Sequence, residues 1–245
     1  MDKKFFTNIG IAPRFFESRI KDRLYGKPED FIVEEIFRKK TMKIVLASGS
    51  PRRKELLQKL FPEFIIDPAN ADEISELNGK RIEDVVQQNA LMKAQAIQTK
   101  HPDSLIIGAD TVVYFENRLI GKPKNTLDAQ QMLVHFSGKW HSVFTGIALI
   151  NTRTHQQTIN FEESKVKFKT LTPQQIEEYI ATGEPNDMAG AYKSQGKGAC
   201  LIEKIEGSRT NIIGLPMEKL IQELEKIGIT TRKQVSFPSS EKKPF

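Results

Sequence analysis

The sequence has one cysteine, Cys200, among 245 residues. No intrachain disulfide can form, so a reducing compartment, the cytoplasm, is expected. Cys200 lies in Ala199-Cys200-Leu201-Ile202, which reads as a packed core thiol rather than a nucleophile. Long apolar runs are missing too. None approaches the ~20 residues that a membrane span needs, and Met1-Asp2-Lys3-Lys4-Phe5-Phe6 lacks the apolar region of a signal peptide. The histidines, His101, His135, His141 and His155, show no HExxH or similar ligand spacing. His101 in a turn and His155 in a polar loop read as surface residues. GxSxG and GxxxxGK[ST] are both absent, which removes the nucleophile-elbow hydrolases and the P-loop enzymes.

Net charge is +6, from 37 Lys/Arg against 31 Asp/Glu. Residues 1–41 hold ten basic and seven acidic side chains, and 230–245 hold four and one. That leaves 23 of each sign in 42–229. The excess belongs to the two ends, and composition makes no case for a nucleic-acid-binding core.

What is present is a strand–turn–helix with unusual chemistry. Ile44-Val45-Leu46 reads as a buried strand, Ala47-Ser48-Gly49-Ser50 as a small-residue turn. Ser50 is placed to cap a helix that Pro51 opens, with Leu56, Leu57 and Leu60 on its apolar face. Free N–H groups, the positive end of the helix dipole, Ser48, Ser50, Arg52 and Arg53 together suit a polyphosphate. The same spacing also fits an ordinary strand–turn–helix with solvated arginines.

Further along, Phe64-Ile65-Ile66 reads as a short strand and 67–73 as an acidic loop. Ile82, Val85, Val86, Ala90, Ala94 and Ile97 recur at helical spacing and predict a helix over about 80–99, with Asn89 and Lys93 on one face. Leu105–Val113 is a strand candidate, and Asn117-Arg118 closes a hairpin to Leu119-Ile120. Thr126 is expected to cap a helix through Met132, Leu133 and Phe136, stopped by Gly138. Two long β segments over 140–150 and about 157–170 follow, then a helix from Thr172-Pro173 to near Ala181. Ala189–Gly198 is small and Gly-rich, suited to close approach of backbone to a ligand. Ala199–Ile205 reads as a strand, and Pro216 opens a last helix ended by Gly228. Interleaved strands and helices with hairpin links imply a mixed sheet.

Several side chains invite a chemical role. Asp110, placed at the end of its strand after Gly108-Ala109, can face a cleft, bind metal or activate water. A solvated or capping aspartate is the plainer alternative. Lys93 and Lys122 are candidate phosphate partners, although a lone lysine is usually a surface residue. Gln195 carries a donor and an acceptor that suit a base edge, or equally the stabilising of a turn. A polyphosphate among these basic groups calls for a cation besides, and Mg²⁺ or Mn²⁺ on carboxylates and phosphate oxygens is the expected one.

Ser48-x-Ser50-Pro51-Arg52-Arg53, Asn89-x-x-x-Lys93-Ala94, Gly108-Ala109-Asp110-Thr111-Val112-Val113, Gly121-Lys122-Pro123 and Ala189-Gly190-Ala191-Tyr192-x-x-Gln195-Gly196 together resemble the Maf family of nucleoside triphosphate pyrophosphatases. The resemblance runs from about Met42 to Gly228. It implies a two-lobed α/β, mixed-sheet fold like that of the inosine triphosphatases, with the site in a central cleft. It implies a catalytic carboxylate at Asp110, and a metal-binding acid at Glu73 or, because the match is loose there, at Asp72. It also implies α–β phosphate cleavage and a homodimer. Arg52, Thr111 and Gln195 resemble the dTTP/UTP-specific branch. Members preferring 7-methyl-GTP carry a bulky aromatic, Gln and an acid at these three places, although Lys193-Ser194 resembles that branch. A nucleotide-binding regulator of cell division without turnover is a second reading.

The expected division is an extension over 1–41, poorly ordered, a pyrophosphatase domain over 42–229 and a disordered basic tail over 230–245. Within the extension, 27–36 looks like a short stretch of one family of tRNA pseudouridine synthases, over about ten residues and without their catalytic apparatus.

Overall fold

The structure is a computed structural model that describes residues 42–229 and 231. The expectations for 1–41 lie outside the described residues, as do nearly all of those for the tail. Among the described residues no helix is long and apolar enough to cross a membrane.

The chain opens with β1 (Lys43–Leu46), α1 (Pro51–Gln58), β2 (Ile65–Ile66), α2 (Ile82–Ile97), β3 (Ser104–Phe115) and β4 (Arg118–Ile120). It continues through α3 (Thr126–Phe136), β5 (Trp140–Asn151), β6 (Gln157–Phe168), α4 (Pro173–Ile180), β7 (Ile202–Glu206), α5 (Arg209–Ile213) and α6 (Met217–Lys226). The seven strands form one mixed sheet in the order β2-β1-β3-β5-β6-β7, with β4 attached to β3. β1 runs parallel to β2 and β3, its helical crossovers being α1 and α2, and every other pairing is antiparallel. The β3–β4 hairpin turns on Glu116 and Asn117, both at positive φ, the geometry that a two-residue turn requires.

Local chemistry explains most boundaries. Thr172 and Gln175 form a capping box at α4, as the Thr-Pro start suggests. At α3 the cap is Asn125, whose side chain accepts from the Asp128 N–H, and Thr126 is the first helical residue. Ser50 occupies the cap position of α1 but makes no side-chain cap bond. Its own N–H donates to Ser48 Oγ at 3.3 Å. Ala199–Leu201 is not strand: Gly196–Leu201 is a 3₁₀ segment, and β7 starts at Ile202. The short glycines there favour a tight turn over the extended run that the apolar residues suggest.

Two separate clusters of buried side chains flank the middle of β3. Val45, Ala47, Ala90, Ala94, Ile97, Ile106 and Ala148 join α2 to β1, β3 and β5. Val113, Phe115, Leu133, Phe136, Val166, Phe168, Ile176 and Tyr192 join the far end of β3 to β6, α3 and α4. The α2 backbone lies directly on the sheet because two strand positions have no side chain. A Cβ on Gly108 would stand 2.1 Å from the Ala90 carbonyl oxygen, and one on Gly146 2.1 Å from that of Val86. Gly146 is the cross-strand partner of Asp110. The close approach therefore brings the helix over Asp110.

Candidate active site

Asp110 is not at the end of its strand. It sits in the middle of β3, 4% exposed, because apolar pairing continues through Phe115. A carboxylate at that depth needs partners, and α2 supplies them. Lys93 Nζ donates to Asp110 Oδ1 at 2.7 Å, and Asn89 Nδ2 donates to Oδ2 at 2.9 Å. The two side chains are one helical turn apart, the shared face that their spacing predicts. Lys93 Nζ also lies 2.9 Å from Glu73 Oε1. The acid that converges on Lys93 is thus Glu73; Asp72 is exposed and does not line the cleft.

The opposite wall comes from α1. Arg53 Nε donates to the Gly214 carbonyl at 2.8 Å, Nη1 to Ser48 Oγ at 3.0 Å and Nη2 to Thr111 Oγ1 at 3.0 Å. Three bonds from one planar fork fix its direction, and two of its five N–H groups are left over from them. Burial draws the Arg53 guanidinium below its ordinary value, while the negative charge of Asp110 pulls it up. Arg52 reaches the Ile213 carbonyl through Nε at 3.4 Å and Met188 Sδ through Nη1 at 3.0 Å. Thr111 Oγ1 in turn shares a hydrogen bond with Thr145 Oγ1 at 3.0 Å. Thr145 is anchored through its hydroxyl to the Asn211 carbonyl.

Arg52, Arg53, Glu73, Lys93, Asp110 and Thr111 line a cleft of about 280 Å³. Ser50, Arg52, Arg53, Glu73, Lys93, Asp110, Thr111 and Lys122, all expected at a site, meet there. Five cationic side chains, counting Lys193, face two carboxylates, a net of +3. Two expected residues do not reach the wall. Ser48 is 8% exposed and acts beneath it as an acceptor for Arg53. Gln195 is half-buried and outside the lining, which takes Tyr192, Lys193 and Ser194 from that segment. Cys200 is exposed rather than packed, since the 3₁₀ turn aims it outward.

Sequence reasoning missed one element, α5. Its five residues carry no amphipathic period to read, yet the carbonyls at its C-terminal end hold both arginines. The available signal was Ser208, whose side chain caps it by accepting from the Asn211 N–H.

For a divalent cation, Glu73 and Asp110 already converge on a single positive group, the Lys93 ammonium. No group of three or more His, Cys, Asp or Glu side chains gathers among the described residues. Two carboxylates without further protein ligands suit Mg²⁺ shared with phosphate oxygens and water better than an all-protein cage.

The Maf-like protein family profile matches residues 43–227. The chain is 44% identical over 187 residues to a dTTP/UTP pyrophosphatase of Dictyoglomus thermophilum, covering 76% of this chain and 96% of that protein. It is 45% identical over 201 residues to one of Acetivibrio thermocellus, covering 79% and 100%, and 45% identical over 185 residues to one of Clostridioides difficile, covering 76% and 95%. With the family's motifs gathered around one cleft and its profile matched along almost the whole described region, the chain belongs to the Maf family.

Proposed function

We propose that this protein is a nucleoside triphosphate pyrophosphatase that hydrolyses dTTP and UTP to the monophosphate and pyrophosphate. The observation that carries the reading is the meeting of Asp110 with Lys93, Glu73 and the paired arginines in one cleft. Relatives at 44% and 45% identity that bear the name dTTP/UTP pyrophosphatase support it.

In this reading Ser50, Arg52, Arg53 and Lys122 bind the triphosphate and stabilise charge that builds on the leaving pyrophosphate. Asp110 accepts hydrogen bonds from Lys93 and Asn89, and a carboxylate has about four lone-pair positions. It therefore retains acceptor capacity to orient a water and take its proton as the oxygen adds to the α-phosphorus. The bond between the α-phosphorus and the bridging oxygen then breaks. Glu73 and Asp110 would hold a divalent cation such as Mg²⁺ or Mn²⁺. When bound, that ion supplies charge neutralisation at the phosphate oxygens. Arg52 and Thr111 in the cleft lining, with Gln195 one residue beyond the lining Ser194, are proposed to read the base.

The test is a panel of nucleoside triphosphates with Mg²⁺, with pyrophosphate assayed separately from phosphate. dTTP and UTP should give kcat/KM at least tenfold above GTP and 7-methyl-GTP, which is about 1.4 kcal/mol in the transition state. Equal or faster turnover of 7-methyl-GTP overturns the base assignment. Binding without turnover would instead favour the regulator.

A further inference from the structure

Asn89 is 1% exposed, and its side-chain amide is fully engaged. Oδ1 accepts from the Ile74 N–H at 2.8 Å, and Nδ2 donates both to the Ile74 carbonyl at 3.1 Å and to Asp110 Oδ2 at 2.9 Å. One amide thus meets both polar groups of a loop residue, as a neighbouring strand would, and spends its remaining N–H on the carboxylate. The loop it grips runs from Asp67 to Arg81 between β2 and α2 without regular structure of its own. Glu73 is the residue before the gripped one, half-exposed, and its placed contact is the 2.9 Å ion pair to Lys93. Lys93 returns to Asp110 at 2.7 Å. Asn89, Ile74, Glu73, Lys93 and Asp110 therefore form a closed ring with Asn89 as the member that touches both the loop backbone and the strand carboxylate.

Physical chemistry says why an amide is needed. A buried carboxylate oxygen without a donor is costly, and so are a loop N–H and C=O facing a helix without partners. Asp in place of Asn89 keeps an acceptor for the Ile74 N–H but has no N–H to give and sets a second negative charge beside Asp110. Leu of similar volume satisfies none of the three.

We propose that Asn89 is a positioning residue for the hydrolytic site: it holds the Asp110 carboxylate in one orientation and clamps the loop so that Glu73 stands at Lys93. The inference rests on the roles given above to Asp110 and Glu73. It assigns Asn89 no contact with substrate; its effect passes through those two side chains.

The experiment uses the full chain and the variants Asn89→Leu, Asn89→Asp, Glu73→Gln and the double variant Asn89→Leu/Glu73→Gln. Amide hydrogen exchange, without nucleotide, reads the clamp directly. The Ile74 N–H should lose protection in Asn89→Leu and keep part of it in Asn89→Asp, while amides in the middle of β3 remain protected in both. With dTTP, kcat should fall roughly 10- to 100-fold in all three single variants with a much smaller change in KM, as expected for a misplaced catalytic group. Because Asn89 acts partly through Glu73, the double variant should lose clearly less than the product of the two single losses. Unchanged protection at Ile74, kcat within twofold of wild type, or losses that multiply would each overturn the proposal. Should Asn89→Leu fail to melt cooperatively, Asn89→Asp decides by the same readings. The exchange measurement needs no turnover, so a wild-type protein that hydrolyses no nucleotide would defeat the reading of function and leave the clamp to be judged at Ile74.

Discussion

Asp110 on β3 and His141 on β5 are both titratable and both almost inaccessible, at 4% and 3% exposure. Their surroundings differ in kind. Asp110 lies among charges: Lys93 and Asn89 bond its two oxygens, Glu73 shares the lysine, and Arg53 faces it from α1. His141 lies among rings. It stacks on Phe136 with centroids 4.5 Å apart and meets Phe168 and Tyr192 edge-on. Its one polar partner is the Tyr192 hydroxyl at 2.8 Å from Nε2, and Nδ1 has none among the described residues. Burial with nothing to balance a charge pushes the His141 imidazole down to about 3. Burial depth alone therefore does not mark a reactive group. The partners decide whether a buried site handles charge or excludes it.

That contrast can be broken by experiment. The largest effect is expected at the charged end. Asp110→Asn should cut kcat by about 10²–10⁴, the usual cost of losing a general base, while triphosphate binding by calorimetry survives. A variant keeping more than half of wild-type turnover would strip Asp110 of its role. Next comes Arg53→Lys, which keeps the charge but cannot span Ser48, Thr111 and the Gly214 carbonyl at once. We expect kcat/KM to fall about 10- to 100-fold, or ~1.4–2.7 kcal/mol. Steady-state kinetics that match wild type would show that charge alone suffices there.

At the ring-lined end the effect is on stability and depends on pH. The His141 imidazole titrates at about 6.5 when unfolded and at about 3 when folded, so the unfolded chain takes up a proton first as pH falls. Stability from this group is complete above the unfolded value and drains away toward the folded one, by about 2 kcal/mol at pH 5. His141→Phe removes that slope. It also leaves the Tyr192 hydroxyl without its partner, at about 1–3 kcal/mol. Denaturant midpoints should show the variant less stable at pH 7.5, with the gap narrowed by roughly 2 kcal/mol at pH 5. A gap that ignores pH would contradict the neutral, ring-packed histidine. The smallest effect is expected from a chain that begins at Met42, which should fold and hydrolyse like the whole, since charge in 42–229 is balanced. Insolubility or loss of activity would place the boundary elsewhere.

Much of this arrangement was legible in the residues. Apolar periodicity located α2 and its buried face, alternation of loops and β-rich runs located the long strands, and Thr172-Pro173 marked α4. Most of the residues that meet in the cleft were named by motif. Local signals failed where the chain answered to distant partners: Asp110 went deeper than a strand end, and Cys200 pointed outward. Gln195 stayed off the wall, and α5 escaped notice.

The sequence by itself determined most of the elements, the charge balance of the core and the chemical inventory of the site, because helix and strand periods and turn residues act over a few neighbours. Only the tertiary structure decided how that inventory is aimed. Arg53 and Gly214 are 161 residues apart along the chain, and Asn89 and Asp110 are 21 apart. The second contact exists because Gly108 and Gly146 let the α2 backbone settle onto β3 and β5. No local pattern records which backbone carbonyl will stand opposite a guanidinium, since that depends on how packed cores bring separate elements to within hydrogen-bond reach.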